Sequence, residues 1–376
     1  MTSNSDPRIL LMGCGSVGGV IAAGLLRKGY NLTIVTHNEA ISKAIETEGL
    51  RVITPEGRRT VPVAANTPVR LTLAPHDGPF NIALLAMKAT EVESAAEAVA
   101  GCLALNGCAV TLQNGIVEDR VSEILGTRLP PYENHPSKSR VIGALVGWGA
   151  TMHAPGLYEM TSRGELTIGE LDHTITRRVR RLKAVLDNAT PTTISTNIYG
   201  ALWSKLAINC GVTTLGALTG QTLGQMLRRS LVRRLALILV SEVLDVAEAH
   251  GVALEPVGGT LDLTRLYLSQ GRRSARFGLD LVPRHLIMAA VGLKFRRLKS
   301  SMLQSLERGR PPEIEFMNAY VVERGREKHI PTPANAALTQ MVREIASGTR
   351  EISAKNLLEL DQRLRGEQGR AGQRKQ

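Results

Sequence analysis

Two stretches of this 376-residue chain have residue types and spacing that could carry chemistry. The first is GCGSVGG, where Gly13, Gly15 and Gly18 give the pattern G-x-G-x-x-G. Such a turn lets the backbone approach a pyrophosphate, and the N–H groups that open the following helix can hold phosphate oxygens. The second is ALWSKLAINCG, residues 201–211. Lys205 and Asn209 stand four apart there and share one side of a helix, with Leu202, Leu206 and Cys210 available to pack nearby. The ordinary reading is a lysine whose stem lies along apolar surface while its ammonium reaches water. The chemical reading is a cation placed where a reaction needs a proton. Spacing alone leaves both open.

The elements around the glycines narrow the first stretch. RILLMG reads as a short buried strand, VIAAGLLRKG as an apolar helix and NLTIVT as a second strand. Strand, glycine turn, helix and strand in that order predict dinucleotide binding, with Gly13, Cys14, Gly15, Ser16, Val17 and Gly18 forming the phosphate loop. The second strand ends Thr36-His37-Asn38, with Glu39 just beyond. An acid at that tip would bond the ribose 2′-hydroxyl of NAD; its absence leans towards NADP, with NAD still possible. His37 is the candidate contact, although a neutral imidazole clamps phosphate less well than arginine. NIALLAMK and CAVTLQNG read as further strands ending in Lys88 and in Asn114-Gly115. Singly these are a solvated strand end and a turn-forming pair. Placed together after successive strands, they predict a shared cleft. RVIGALVGWGA and GLYEMTSRGELTIGE predict more strands.

From about residue 195 the periodicity becomes helical, and no convincing strand follows Ile168, although PTTISTNIY is ambiguous. The expected fold class is α/β: an N-terminal Rossmann-like NAD(P)-binding domain over 7–193 and a mostly helical substrate-binding domain over 194–355. Residues 356–376 are expected to be a disordered basic tail. Residues 257–300 carry nine Arg or Lys against two Asp. Arg272, Arg273 and Arg276 fall in an expected loop, and Lys294, Arg296, Arg297 and Lys299 form a second cluster. That is either a solvated face or a patch for an anionic ligand, an RNA or a partner subunit.

Composition sets the outer bounds. The net charge of +12 favours anionic partners, and aromatics at 3% argue against a stacking platform for single-stranded nucleic acid. The four cysteines show neither metal-ligand spacing nor a disulfide framework, so no metal is expected. MTSNSDPR lacks a secretory pattern, and no apolar run approaches a membrane span, so a cytoplasmic protein without membrane association is expected.

On GCGSVG, MKATEVE, LQNGI, WSKLAIN, SSMLQSLERGRPPEIEFMN and GREKHIPTPAN, in that order from residue 9 to about 345, the chain resembles the ketopantoate reductase (2-dehydropantoate 2-reductase) family. The resemblance implies reduction of ketopantoate to D-pantoate by hydride from NADPH, often in a homodimer. It implies Lys205 as the catalytic lysine and Glu313 as an acid at the cofactor and substrate end of the cleft, with Glu315 at a further acidic position. Asn209 and Ser301 are implied as substrate contacts, Lys88 as a cofactor contact, and Asn114 as a contact of both. The chemistry agrees: hydride addition builds charge on the ketone oxygen, and a desolvated ammonium is a suitable acid there.

Differences from the family pattern lie beside the implied substrate. Thr213-Thr214 replaces the usual asparagine-proline pair, Leu298 an asparagine found in some members, and Ser305 an acid; His37 replaces a phosphate-binding arginine. The first three leave room for another 2-oxo acid as substrate, whereas His37 bears only on the choice of cofactor. A reading from another class is a non-catalytic nucleotide-sensing or RNA-binding protein on the same fold, resting on the basic segment.

Overall fold

The computed structural model describes residues 6–54, 57–61, 68–130, 132, 139–256, 262–273 and 278–373. The chain divides into two compact units, Met1–Tyr199 and Gly200–Gln376. The division lies a few residues beyond the 193/194 boundary expected from sequence.

The strands of the first unit are, in chain order, β1 (Ile9–Met12), β2 (Leu32–Val35), β3 (Leu50–Thr54), β4 (Gly57–Val61), β5 (Val69–Arg70) and β6 (Phe80–Leu85). They continue with β7 (Leu103–Thr111), β8 (Val141–Val146), β9 (Ala150–Ala154), β10 (Leu157–Met160), β11 (Leu166–Glu170) and β12 (Thr192–Ile194). Eight form one sheet in the order β12-β11-β8-β7-β6-β1-β2-β5, and β4-β3-β10-β9 form a second. In the larger sheet all neighbours run parallel except β8 and β11. Strand β12 corrects the expectation of no strand after Ile168: the ambiguous PTTIS adds an edge strand parallel to β11.

The strands at the middle of the large sheet are rich in apolar residues because the sheet is covered on both faces. β1 (ILLM) and β2 (LTIV) are buried at every residue. Helices α1 (Ser16–Arg27), α2 (Glu39–Glu48), α3 (Val92–Ala100), α4 (Glu118–Arg128) and α5 (Arg177–Leu186) supply the connections. In α1 the run Gly18–Leu25 is buried almost all round, which its small residues permit.

The second unit is helical. It contains α6 (Ile198–Ile208, entering from the first unit), α7 (Thr214–Thr219), α8 (Leu223–Leu227), α9 (Ser230–Ala249) and α10 (Gln270–Arg273). Then come α11 (Val282–Lys294), α12 (Ser301–Glu307), α13 (Asn318–Glu327), α14 (Pro333–Ala346) and α15 (Asn356–Gln373). The apolar LALILV run buries α9 at the centre, with α8, α11, α13, α14 and α15 packed on it. Gly251 (φ +71°) follows its end, as the sequence predicts.

Of the tail 356–376 expected to be disordered, 374–376 lie outside the described residues, and Asn356–Gln373 form the helix α15. Its polar composition hides an apolar stripe: Leu357, Leu360 and Leu364 are buried, and Asp361 pairs with Arg234 of α9. Among the described residues no helix is long and apolar enough to cross a membrane.

Candidate functional site

In the first unit the chemistry-bearing residues gather at one edge. β1, β6 and β7 are parallel neighbours in register, Met12 beside Leu85 and Leu85 beside Thr111. Their ends therefore bring the glycine turn, Lys88 and Asn114 to the same border of the sheet. Gly13 holds φ +91°, and a Cβ there would lie 2.6 Å from the Met87 amide nitrogen, so only glycine fits. A Cβ at Gly18 would meet the Gly13 carbonyl oxygen at 2.1 Å, which is the close packing the motif requires. Gly15 differs: nothing lies within 4 Å of its Cβ position. It precedes α1, whose N-terminus has no side-chain cap and no acid in its first turn. An open, uncapped, acid-free helix start fits a pyrophosphate.

Ser16 and Val17 open α1 half-buried, whereas Cys14 is buried, its thiol pushed up to about 11 by burial, so it offers the loop only its backbone. His37 is exposed just past β2, and Asn38 is used locally, its side chain accepting from the Ile41 amide to cap α2. Lys88, half-buried, precedes a short 3₁₀ turn, and half-buried Asn114 precedes Gly115 at φ +90°. Sequence reasoning missed Gln113. Its Nε2 donates to the Leu85 and Met87 carbonyls at 2.9 and 3.3 Å, and its Oε1 accepts from the Leu112 amide at 3.0 Å. That side chain ties the strand ends before Lys88 and Asn114 together; a lone glutamine carries no sequence signal of it.

In the second unit Lys205 is half-buried on α6. Burial pushes its ammonium down to about 8, against the opposing pull of the Glu313 carboxylate. Glu313 is buried and opens a 3₁₀ turn, Glu313–Phe316. The fold thus brings Lys205 and Glu313 within electrostatic reach. Glu315 is exposed and paired with Arg343 at 2.6 Å.

Asn209 begins a π-helical turn, Asn209–Thr213, in which the Thr214 amide donates to the Asn209 carbonyl. Such turns widen the helix by one residue and cluster at functional sites. The Asn209 Oδ1 accepts from Thr213 Oγ1 at 3.2 Å, while its buried Nδ2 has no hydrogen-bond partner among the described residues. A buried donor of this kind wants an oxygen. Behind the turn, Thr214 Oγ1 donates to Asn318 Oδ1 at 2.7 Å, and Asn318 Nδ2 donates to Asn335 Oδ1 at 2.8 Å. Asn335 Nδ2 donates to Glu242 at 2.8 Å, and Glu242 also accepts from the Ala334 and Asn335 amides at 2.9 Å. Burial pushes the Glu242 carboxyl up to about 7. Ser301 is the first residue of α12, which packs against α7 and the π turn; the adjacent Ser300, rather than Ser301, caps that helix. Ser305 is buried and donates to the Ser301 carbonyl.

Part of the charge in the basic segment is matched locally by acids. Arg273 lies in α10 rather than a loop, buried, and paired with Asp245 at 2.5 Å. Arg272 pairs with Asp280, and Lys299 with Glu307 at 2.6 Å. Arg296 and Arg297 are exposed, and Arg276 lies outside the described residues.

Comparison with known proteins agrees with this fold. The family model described as "Ketopantoate reductase PanE/ApbA" matches residues 9–173, and "Ketopantoate reductase PanE/ApbA C terminal" matches residues 197–346. A 2-dehydropantoate 2-reductase of Mesorhizobium japonicum is 29% identical over 354 residues, covering 90% of this chain and 98% of its own. The crystal structure of a PanE/ApbA family ketopantoate reductase from Ralstonia eutropha superposes with a TM-score of 0.72 at 27% identity, covering 91% of this chain and 99% of its own. D-mandelate dehydrogenase, solved with NADH and anilino(oxo)acetate, shares the fold at TM-score 0.71 and 16% identity, over 90% of this chain and 98% of its own.

Proposed function

The chain belongs to the ketopantoate reductase PanE/ApbA family, and from that premise we propose that it reduces a 2-oxo acid with NADPH, ketopantoate being the substrate and D-pantoate the product. The observation that carries this reading is the Lys205 ammonium, desolvated to a pKa of about 8 yet supported by Glu313.

A nicotinamide dinucleotide, when bound, supplies the hydride. The residues that would hold it are Gly13 to Gly18, through the backbone N–H groups at the start of α1, with Lys88 and Asn114 at the neighbouring strand ends. For the substrate, Lys205 Nζ donates a proton to the ketone oxygen as negative charge builds there. A pKa near the working pH suits that transfer. Glu313 keeps the lysine charged until the proton leaves, and the neutral amine is then reprotonated from water. Asn209 Nδ2, buried and without a partner among the described residues, supplies a hydrogen bond that orients the substrate, and Ser301 adds a second polar contact.

NADPH is the preferred reductant in this reading because the residues that directly follow β2, Thr36, His37 and Asn38, include no carboxylate. Arg70, paired in register with Val35 on the next strand, adds positive charge there, although Asp77 already holds its guanidinium at 3.0 Å. A cytoplasmic homodimer completes the proposal.

The test is NADPH oxidation by purified protein with ketopantoate, run beside NADH and a panel of 2-oxo acids, with Lys205→Ala as control. Ketopantoate turnover that collapses in the variant supports the full reading. Lysine-dependent turnover of another acid keeps the reaction and discards the substrate. That second outcome has its own motive: Thr213 spends its hydroxyl on Asn209 rather than presenting an amide. Silence across the panel sinks the enzyme reading.

A further inference from the structure

Tyr158 comes from β10, in the smaller sheet, and is fully buried. Its hydroxyl donates to the Cys14 carbonyl oxygen at 2.9 Å and lies 3.4 Å from the Cys14 Sγ. Its ring fills the space that a Cβ at Gly19 would enter, at 2.4 Å. The side chain therefore reaches the glycine turn from outside the strand–turn–helix unit that forms it.

Burial pushes the ionisation of Tyr158 well up and that of the Cys14 thiol up to about 11, so both keep their protons at working pH. The two contacts are then compatible. The hydroxyl gives its one proton to the carbonyl and can accept the thiol's.

The Cys14–Gly15 peptide is trans, since the only cis bond among the described residues is Gly78–Pro79. In a planar trans peptide the C=O and the following N–H point in opposite directions. Drawing the Cys14 carbonyl towards the buried hydroxyl turns the Gly15 N–H away from the core, to the open side of the turn. We infer that Tyr158 is a positioning residue that fixes this peptide and so aims the Gly15 N–H at the phosphates of a bound dinucleotide. The inference rests on the dinucleotide reading of the loop given above.

Binding, not turnover, tests it. Affinities for NADPH, NADH and ADP-ribose are measured by calorimetric titration of the full chain, its Tyr158→Phe variant and a matched control, Tyr30→Phe. Tyr30 accepts from Asn188 at the far end of α1, 3.1 Å away, so its loss removes a hydroxyl of the same helix's surroundings without touching the turn. The expected result is about tenfold weaker binding of all three ligands by Tyr158→Phe, the size of one lost hydrogen bond, with Tyr30→Phe unchanged. Unchanged affinity in Tyr158→Phe overturns the inference, as does an equal loss in Tyr30→Phe. If Tyr158→Phe does not fold, Gly19→Ala displaces the ring while keeping its hydroxyl. Weakened binding then supports the role, and wild-type affinity overturns it. A wild-type chain that binds none of the ligands sinks the dinucleotide reading and the inference together, whereas wild-type binding with an indifferent variant sinks the inference alone.

Discussion

Glu313 and Lys205, far apart in the chain, meet in the second unit, where the carboxylate's charge partly restores the proton affinity that burial takes from the ammonium. A proton donor must be protonated, so reduction should run at a plateau below pH 8. Above about pH 8, kcat/KM should fall about tenfold per pH unit as the ammonium empties. In the reverse direction the neutral amine acts as base, and the rate should rise through the same pH. Glu313→Gln removes the supporting charge and should move the falling limb to lower pH. A profile from pH 6 to 10 on both proteins checks this, and a limb that stays put removes Glu313 from the lysine's surroundings. Lys205→Ala should lose about 10²- to 10⁴-fold in kcat.

The π turn that carries Asn209 is tied to the unit's interior through Asn318. Asn318→Ala leaves the Thr214 hydroxyl and the Asn335 side-chain oxygen without their buried partner. Stability should fall by about 2–3 kcal/mol, read from urea unfolding. Because the turn would also loosen, KM for the oxo acid should rise while affinity for NADPH stays the same. An unchanged KM would make Asn318 merely structural.

Two glycines of one motif should fail in different ways. Gly18→Ala drives a methyl into the Gly13 carbonyl and should cost thermal stability. Gly15→Ala meets no protein atom, and its extended backbone (φ −77°) suits alanine. Its melting temperature should hold while dinucleotide affinity drops. Calorimetry and titration on both variants separate the cases. Equal affinity in Gly15→Ala would mean that no ligand approaches that residue.

Helix α15 is fastened by a buried ion pair and three leucines. Arg234→Ala leaves Asp361 as a buried charge lacking that partner and should cost about 3–5 kcal/mol. Leu360→Ala should cost about 2–4 kcal/mol. Chemical denaturation measures both, and near-neutral values would mean that the helix is dispensable to the unit.

Much of this was legible in the residues because it is local. The glycine turn, its flanking strands and Lys88 and Asn114 at strand ends follow from short-range pattern. Lys205 is the instructive case: periodicity placed it on a helix but left its role open, and family resemblance supplied the candidate role. What stayed hidden is long-range. Nothing near Gln113, Tyr158 or Asn318 in sequence shows what their side chains reach. The tail was misjudged for a related reason, since Leu357, Leu360 and Leu364 are sparse among polar neighbours, and α7 and α9, two of the helices that α15 packs against, come from distant segments. For the basic segment, a count of its own charges leaves out the acids Asp245 and Glu307 that pair with Arg273 and Lys299 from outside it.

The π turn also works as a phase shifter. A regular helix advances about 100° per residue, so the extra residue in Asn209–Thr213 rotates α7 relative to α6 by about that angle. Lys205 and Thr214 can then each face the surroundings they have, one a buried carboxylate, the other Asn318. A one-residue deletion between 210 and 213 would straighten the segment into continuous helix and swing either the lysine or the threonine off its mark. The spacing between them is thus a fixed angular offset, which tolerates changes of side chain far better than changes of length.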